Sequence, residues 1–66
     1  MIGSRRRYLL HMKNNGPSVE GLLVKRGRRE YTLIAAELVQ DAETTHPLPG
    51  HVEVPRENVF CLQRVD

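Results

Sequence analysis

Val19-Glu20-Gly21-Leu22-Leu23-Val24, then Lys25-Arg26-Gly27-Arg28-Arg29, then Glu30-Tyr31-Thr32-Leu33-Ile34-Ala35-Ala36-Glu37-Leu38-Val39, is the stretch that decides the fold. Its first segment is short and rich in Val and Leu, which reads as a strand. The middle segment is a tight charged turn with one Gly. The third opens with β-formers and ends in Ala-Ala-Glu-Leu-Val, which has helix propensity. One long strand paired in a hairpin with the first is the favoured reading; a break into a helical turn near Ala36 is the alternative. Gly21 inside a strand is read as a sharp bend at a barrel corner, an ordinary edge-strand glycine being the other reading.

Outward from the hairpin, the pattern stays β. Upstream, Tyr8 to Met12 is a short apolar run closing on Lys13-Asn14-Asn15-Gly16-Pro17, a turn signal. Downstream, 40–49 is polar with two prolines and reads as a loop. Gly50-His51-Val52-Glu53-Val54-Pro55 alternates with period two, a half-buried strand that Pro55 ends. Arg56-Glu57-Asn58 is a very short connection, and Val59-Phe60-Cys61-Leu62-Gln63-Arg64-Val65 is the last strand. The expectation is an all-β domain of five strands, strongly bent into a small barrel that reduces exposed edges, over residues 8–66, with residues 1–7 as a basic arm.

Sixty-six residues allow one domain. No apolar run approaches the roughly 20 residues of a membrane span, and no apolar signal-peptide stretch follows Arg5-Arg6-Arg7. One Cys builds no disulfide framework, so a cytoplasmic, reducing setting is expected. A chain of this size buries little surface and has no disulfide or metal pattern to support it, which points to self-association. The first four residues of the last strand are apolar on both faces; one face meets the core and the other needs a neighbouring subunit. The expected interface is Val52, Val54, Val59, Phe60, Cys61 and Leu62, with Cys61 itself read as a small buried hydrophobe.

Charge is uneven. Residues 1–33 hold eight Lys/Arg and two Glu, a balance of +6, while 34–66 hold two Arg and six Asp/Glu, a balance of −4. Seven of the ten cations sit in two clusters, Arg5-Arg6-Arg7 and Lys25-Arg26-Gly27-Arg28-Arg29. Arg binds phosphate oxygens bidentately, so such clusters read as polyanion binding; solubilising turns are the plain alternative. Tyr31 at the base of the hairpin is a candidate for stacking a base, or for cross-strand packing. No nucleophile motif, phosphate loop or metal-ligand spacing occurs, so no enzymatic activity, cofactor or metal is expected.

The order of signals resembles Sm-like proteins. Val19-Glu20-Gly21-Leu22-Leu23-Val24 resembles their bent second strand, and Val52-Glu53-Val54-Pro55-Arg56-Glu57-Asn58-Val59-Phe60-Cys61-Leu62 their closing strand-turn-strand. The resemblance implies a five-stranded barrel of the Src-homology-3 type. It also implies rings of six or seven subunits, the fourth strand of one pairing with the fifth of the next. Three features depart from the family: no long helix precedes the first strand, the 25–31 loop has no Asn, and Pro55-Arg56 replaces an Arg-Gly pair. Only Arg56 and Asn58 stand at or next to family binding positions. The candidate nucleic-acid contacts are therefore Lys25, Arg26, Arg28, Arg29, Tyr31, Arg56 and Asn58. The partners are further copies of the chain and RNA or single-stranded DNA. The chain also has the style of small phage-encoded proteins, and the competing function is a structural or regulatory module that binds a host or partner protein.

Overall fold

Two bulges in the central hairpin shape the molecule. The computed structural model describes residues 5–66. Strand β2 (Ser18–Arg26) pairs antiparallel with β3 (Glu30–Val39). Glu20 lies opposite Glu37 and Leu22 opposite Ile34, so Gly21 alone faces two residues, Ala35 and Ala36. The extra residue is Ala35, held at φ 49°. A bulge inserts one residue and shifts side-chain parity. Tyr31 and Leu33 are buried before it, and Ala36 is buried after it, so β3 keeps its apolar residues on the core side through the bend. A second shift lies between Leu23 and Lys25, where Val24 is the extra residue. The helix-prone 35–39 segment is thus strand throughout, because β2 on one edge and a further strand on the other take its backbone groups.

Strand β1 (Arg6–Met12) lies on the other edge of β2 and starts two residues earlier than its apolar run. Of the expected basic arm, residues 1–4 lie outside the described residues, and Arg6 and Arg7 belong to this strand. A 3₁₀ turn (Lys13–Asn15) leads into β2, and Asn14 and Asn15 take positive φ while Gly16 does not. Asn tolerates that region better than most residues, so the turn needs no glycine there.

The expected loop over 40–49 contains a strand. β4 (Thr45–Leu48) pairs with the second half of β3, and β5 (Val52–Pro55) with its first half. Pro47 sits opposite Glu37 on this outermost strand. An edge strand tolerates proline, because the missing N–H can face away from the ladder. Neither proline nor lack of periodicity therefore excluded a strand. A second 3₁₀ turn (Arg56–Asn58) carries the chain to β6 (Val59–Arg64), which pairs with β1.

The described residues are all-β, with six antiparallel strands in one sheet of order β4-β3-β2-β1-β6, and β5 also on β3. This corrects the expected strand number, and no ladder joins β5 to β6, so the sheet is open. It is nonetheless curled. Laid flat, β5 and β6 would stand four strand spacings apart, about 19 Å. The four steps from Pro55 to Val59 reach about 14 Å even when fully extended. The sheet must curl to bring its two ends within that reach. Its inner face carries Leu10, Val19, Leu23, Tyr31, Leu33, Ala36 and Val54, of which Leu10 and Leu33 are fully buried. On the outer face the Arg7 guanidinium lies 3.2 Å from Glu20 and donates to the carbonyl of the bulged Ala35 at 3.3 Å.

Candidate nucleic-acid interface

The two basic clusters, about twenty residues apart in sequence, meet at one end of the sheet. β1 runs against β2 with Arg6 opposite Leu23, so the start of β1 stands beside the end of β2. Arg6, Tyr8, Leu23, Val24, Lys25 and Arg26 line one shallow hollow of about 200 Å³. On the far side of the hairpin tip, Arg28, Arg29, Glu30, Pro55, Arg56 and Glu57 line a wider open cleft of about 580 Å³. Lys25, Arg26, Arg28 and Arg29 are all exposed. Among the described residues the one ion pair is Arg7–Glu20, so no tip cation is directly paired, although Glu30 and Glu57 share the cleft with Arg28 and Arg29.

The tip is a tight turn closed by the Gly27 N–H, which donates to the Glu30 carbonyl at 2.9 Å. Glycine is needed there for space: a Cβ on Gly27 would stand 2.8 Å from that same oxygen. Arg28 and Arg29 stand between Gly27 and Glu30 at the turn, and both are exposed.

Both tyrosines of the chain carry an arginine. The Arg26 guanidinium donates to the Tyr8 hydroxyl at 3.0 Å and lies 5.3 Å from its ring centroid. The Arg56 guanidinium lies over Tyr31, 4.8 Å from the ring centroid. Tyr31 is only 6% exposed. It packs in the core with an arginine over its ring, which fits the cross-strand packing reading and leaves the ring little room to stack a base. Its position as the first inward residue after the tip is the physical reason.

Arg7 is likewise not a free arm residue. Besides Glu20 and Ala35, its backbone N–H donates to the Asp66 carboxylate at 3.1 Å, and its carbonyl accepts from Val65 at 3.0 Å. Arg56 and Asn58 stand two residues apart on one turn yet face different hollows. Arg56 faces the tip. Asn58 lines a third hollow of about 510 Å³, together with Lys13, Asn14, Val19 and Leu38. The basic set that converges is therefore Arg6, Lys25, Arg26, Arg28, Arg29 and Arg56, without Tyr31 or Asn58. Arg6 belongs to the Arg5-Arg6-Arg7 cluster that the sequence already marks as polyanion-binding; the β1–β2 register is what brings it beside the tip.

The expected interface residues divide in two. Val54 is buried, and Val52, Val59 and Leu62 pack against the same core. Phe60 is 74% exposed and Cys61 is exposed. Cys61 is thus not the buried hydrophobe expected. The β1–β6 register shifts between His11 and Met12, pairing Met12 with Val59 and His11 with Cys61, so Phe60 is an extra residue. That bulge lets Val59 and Leu62 both face inward and leaves the two residues between them outside.

Among the described residues no group of three or more His, Cys, Asp or Glu could hold a metal ion. None of their helices is long and apolar enough to cross a membrane. No family model matches the chain, and searches of curated proteins and of solved structures return no match.

Proposed function

We propose that this chain is a non-enzymatic, self-assembling module of the Sm-like kind that binds RNA or single-stranded nucleic acid through its basic hairpin tip. The observation that carries the reading is the convergence of Arg6 with Lys25, Arg26, Arg28 and Arg29 at one end of the sheet, uncompensated by ion pairs. Such a surface attracts phosphates by displacing their counterions. The connectivity favours the Sm-like part. β4 and β5 lie along the same edge of β3 and act as one interrupted strand, and β6 returns to β1. That is the order of a five-strand meander whose last strand closes on its first. Among the described residues the outer edges of β5 and β6 carry no ladder, so the β5 edge of one copy can receive β6 of the next. A ring of such contacts would repeat the tip and multiply weak phosphate contacts through effective concentration.

The test is Arg28→Ala combined with Arg29→Ala, titrated against single-stranded oligonucleotides over a salt series. Each lost phosphate contact lowers the salt slope by about 0.7 units on single strands, so the pair should lower it by about 1.4. The loss should be similar across sequences, because phosphate contacts do not read bases. Stability should stay within about 0.5 kcal/mol, as both side chains are exposed. Failure of the wild-type protein to retard any oligonucleotide at about 50 mM salt, where such binding is strongest, would end the nucleic-acid reading in favour of a protein-interaction module.

A further inference from the structure

We infer that Arg56 is a positioning residue: it anchors the basic hairpin tip to the closing turn and does not itself contact the bound polyanion. The inference rests on the nucleic-acid reading for its functional consequence and on geometry for the anchor. Three contacts tie residue 56 to the tip. Its backbone N–H donates to the Arg29 carbonyl at 2.8 Å. Its side-chain Nη1 donates to the Gly27 carbonyl at 3.1 Å. Its guanidinium face lies over the ring of Tyr31, which the core immobilises. Within the tip itself, the Gly27-to-Glu30 hydrogen bond is the one backbone closure.

The tip needs such a holder. Lys25, Arg26, Arg28 and Arg29 fall within five residues around one tight turn, and their mutual repulsion favours splaying it. Carbonyl acceptors on Gly27 and Arg29 are the groups that a donor can grip without competing for the cationic side chains. Arginine suits the task because its plane stacks on an aromatic face while its in-plane N–H groups donate sideways. A lysine ammonium is a point charge and cannot do both with one group. One guanidinium face is against Tyr31 and Nη1 is on Gly27, so these two surfaces of the side chain are spent within its own chain, although the residue as a whole is exposed. The phosphate contacts are left to Arg28, Arg29, Lys25 and Arg6.

The experiment compares wild type, Arg56→Gln and Arg56→Lys in two arms. In the first, a fluorescein-labelled oligo(dT) 20-mer is titrated by anisotropy over a salt series, with Arg28→Ala as reference. Arg56→Gln and Arg56→Lys should each weaken binding about tenfold, the worth of a hydrogen bond plus a stacked cation. The salt slope should equal that of wild type, whereas Arg28→Ala lowers it by about 0.7. A slope loss in Arg56→Gln equal to that of Arg28→Ala, with Arg56→Lys binding as wild type, would make Arg56 a phosphate contact and overturn the proposal. The second arm needs no ligand: limited trypsin digestion under folding conditions, read by mass spectrometry at Lys25, Arg26, Arg28 and Arg29. Cleavage there should rise about tenfold in both variants while the melting transition remains cooperative. Cleavage at the wild-type rate overturns the anchor. If wild type binds no oligonucleotide yet the variants open the tip, the nucleic-acid reading fails and the anchor stands.

Discussion

Gly21 is where a single atom decides the path of the chain. An added Cβ would lie 3.0 Å from both Cα and Cβ of Ala36 and 3.1 Å from the Ile34 carbonyl oxygen. Two of those three neighbours belong to backbone, which cannot rotate away. The close approach follows from the bulge that places Ala35 and Ala36 opposite this one residue. Gly21→Val should therefore force β2 and β3 apart and destabilise by about 1–3 kcal/mol, as overpacked cores do. In a domain this small, that lowers the melting temperature by roughly 4–8 °C per kcal/mol. A calorimetric melting temperature equal to wild type would show that the strands absorb the side chain, and that Gly21 does not set the bend.

At the scale of elements, the passage from β3 to β4 shows how a polar segment is ordered without a core. The Asp41 Oδ1 accepts from the Glu43 N–H at 2.9 Å and from the Thr44 N–H at 2.8 Å. The Gln40 N–H adds a bond to the Thr44 carbonyl at 2.9 Å, so the turn returns the chain in register with β3. The Glu43 N–H, followed by the Thr44 side chain and N–H, holds the Asp41 carboxyl below its ordinary value of 3.8. A depressed carboxyl contributes stability above its unfolded pKa and loses it as pH falls through the folded value. The turn should thus stay ordered at pH 5 and loosen only below about pH 4. NMR titration of the Glu43 and Thr44 amides should give a common midpoint below 3.8, and Asp41→Ala should abolish it. A midpoint at or above the ordinary value would mean that these bonds do not form in solution.

For the whole molecule, the open sheet leaves two strand edges uncovered and, among the described residues, Phe60 as the most exposed large apolar side chain. Phe60 stands on β6 beside an edge that no strand covers among the described residues. Unpaired edges recruit further strands. Pairing β5 of one copy with β6 of the next uses a different surface on each partner, so it generates closed rings or filaments, not a two-fold dimer. Sedimentation equilibrium should therefore report a multiple of 7.6 kDa at high micromolar concentration. Phe60→Glu should shift it toward the single chain with the far-UV spectrum unchanged, because that side chain makes no core contact. A wild-type mass of 7.6 kDa would overturn self-assembly.

Local pattern was enough for most of the strands. The hairpin 19–39, the alternation over 52–55 and the turn chemistry at 13–17 and 56–58 each state their conformation within a few residues. What lies at the tip was also legible, since Lys25-Arg26-Gly27-Arg28-Arg29 needs no partner to be a charged turn. Tertiary structure decided the rest. β4 exists because β3 offers it an edge, which overrides the weak preference of Thr-His-Pro-Leu. Cys61 is exposed and Val59 faces inward because of a one-residue register slip against β1, and a slip leaves no mark in composition. Arg6 joins the tip, Arg7 leaves for Glu20 and Ala35, and Arg56 covers Tyr31, through pairings 13 to 29 residues long. Strand identity is written in local sterics and hydrophobic period. Which side chains share a face, and which arginines remain available for a ligand, depends on register between distant strands, and that is settled only when the sheet curls to bury its apolar side.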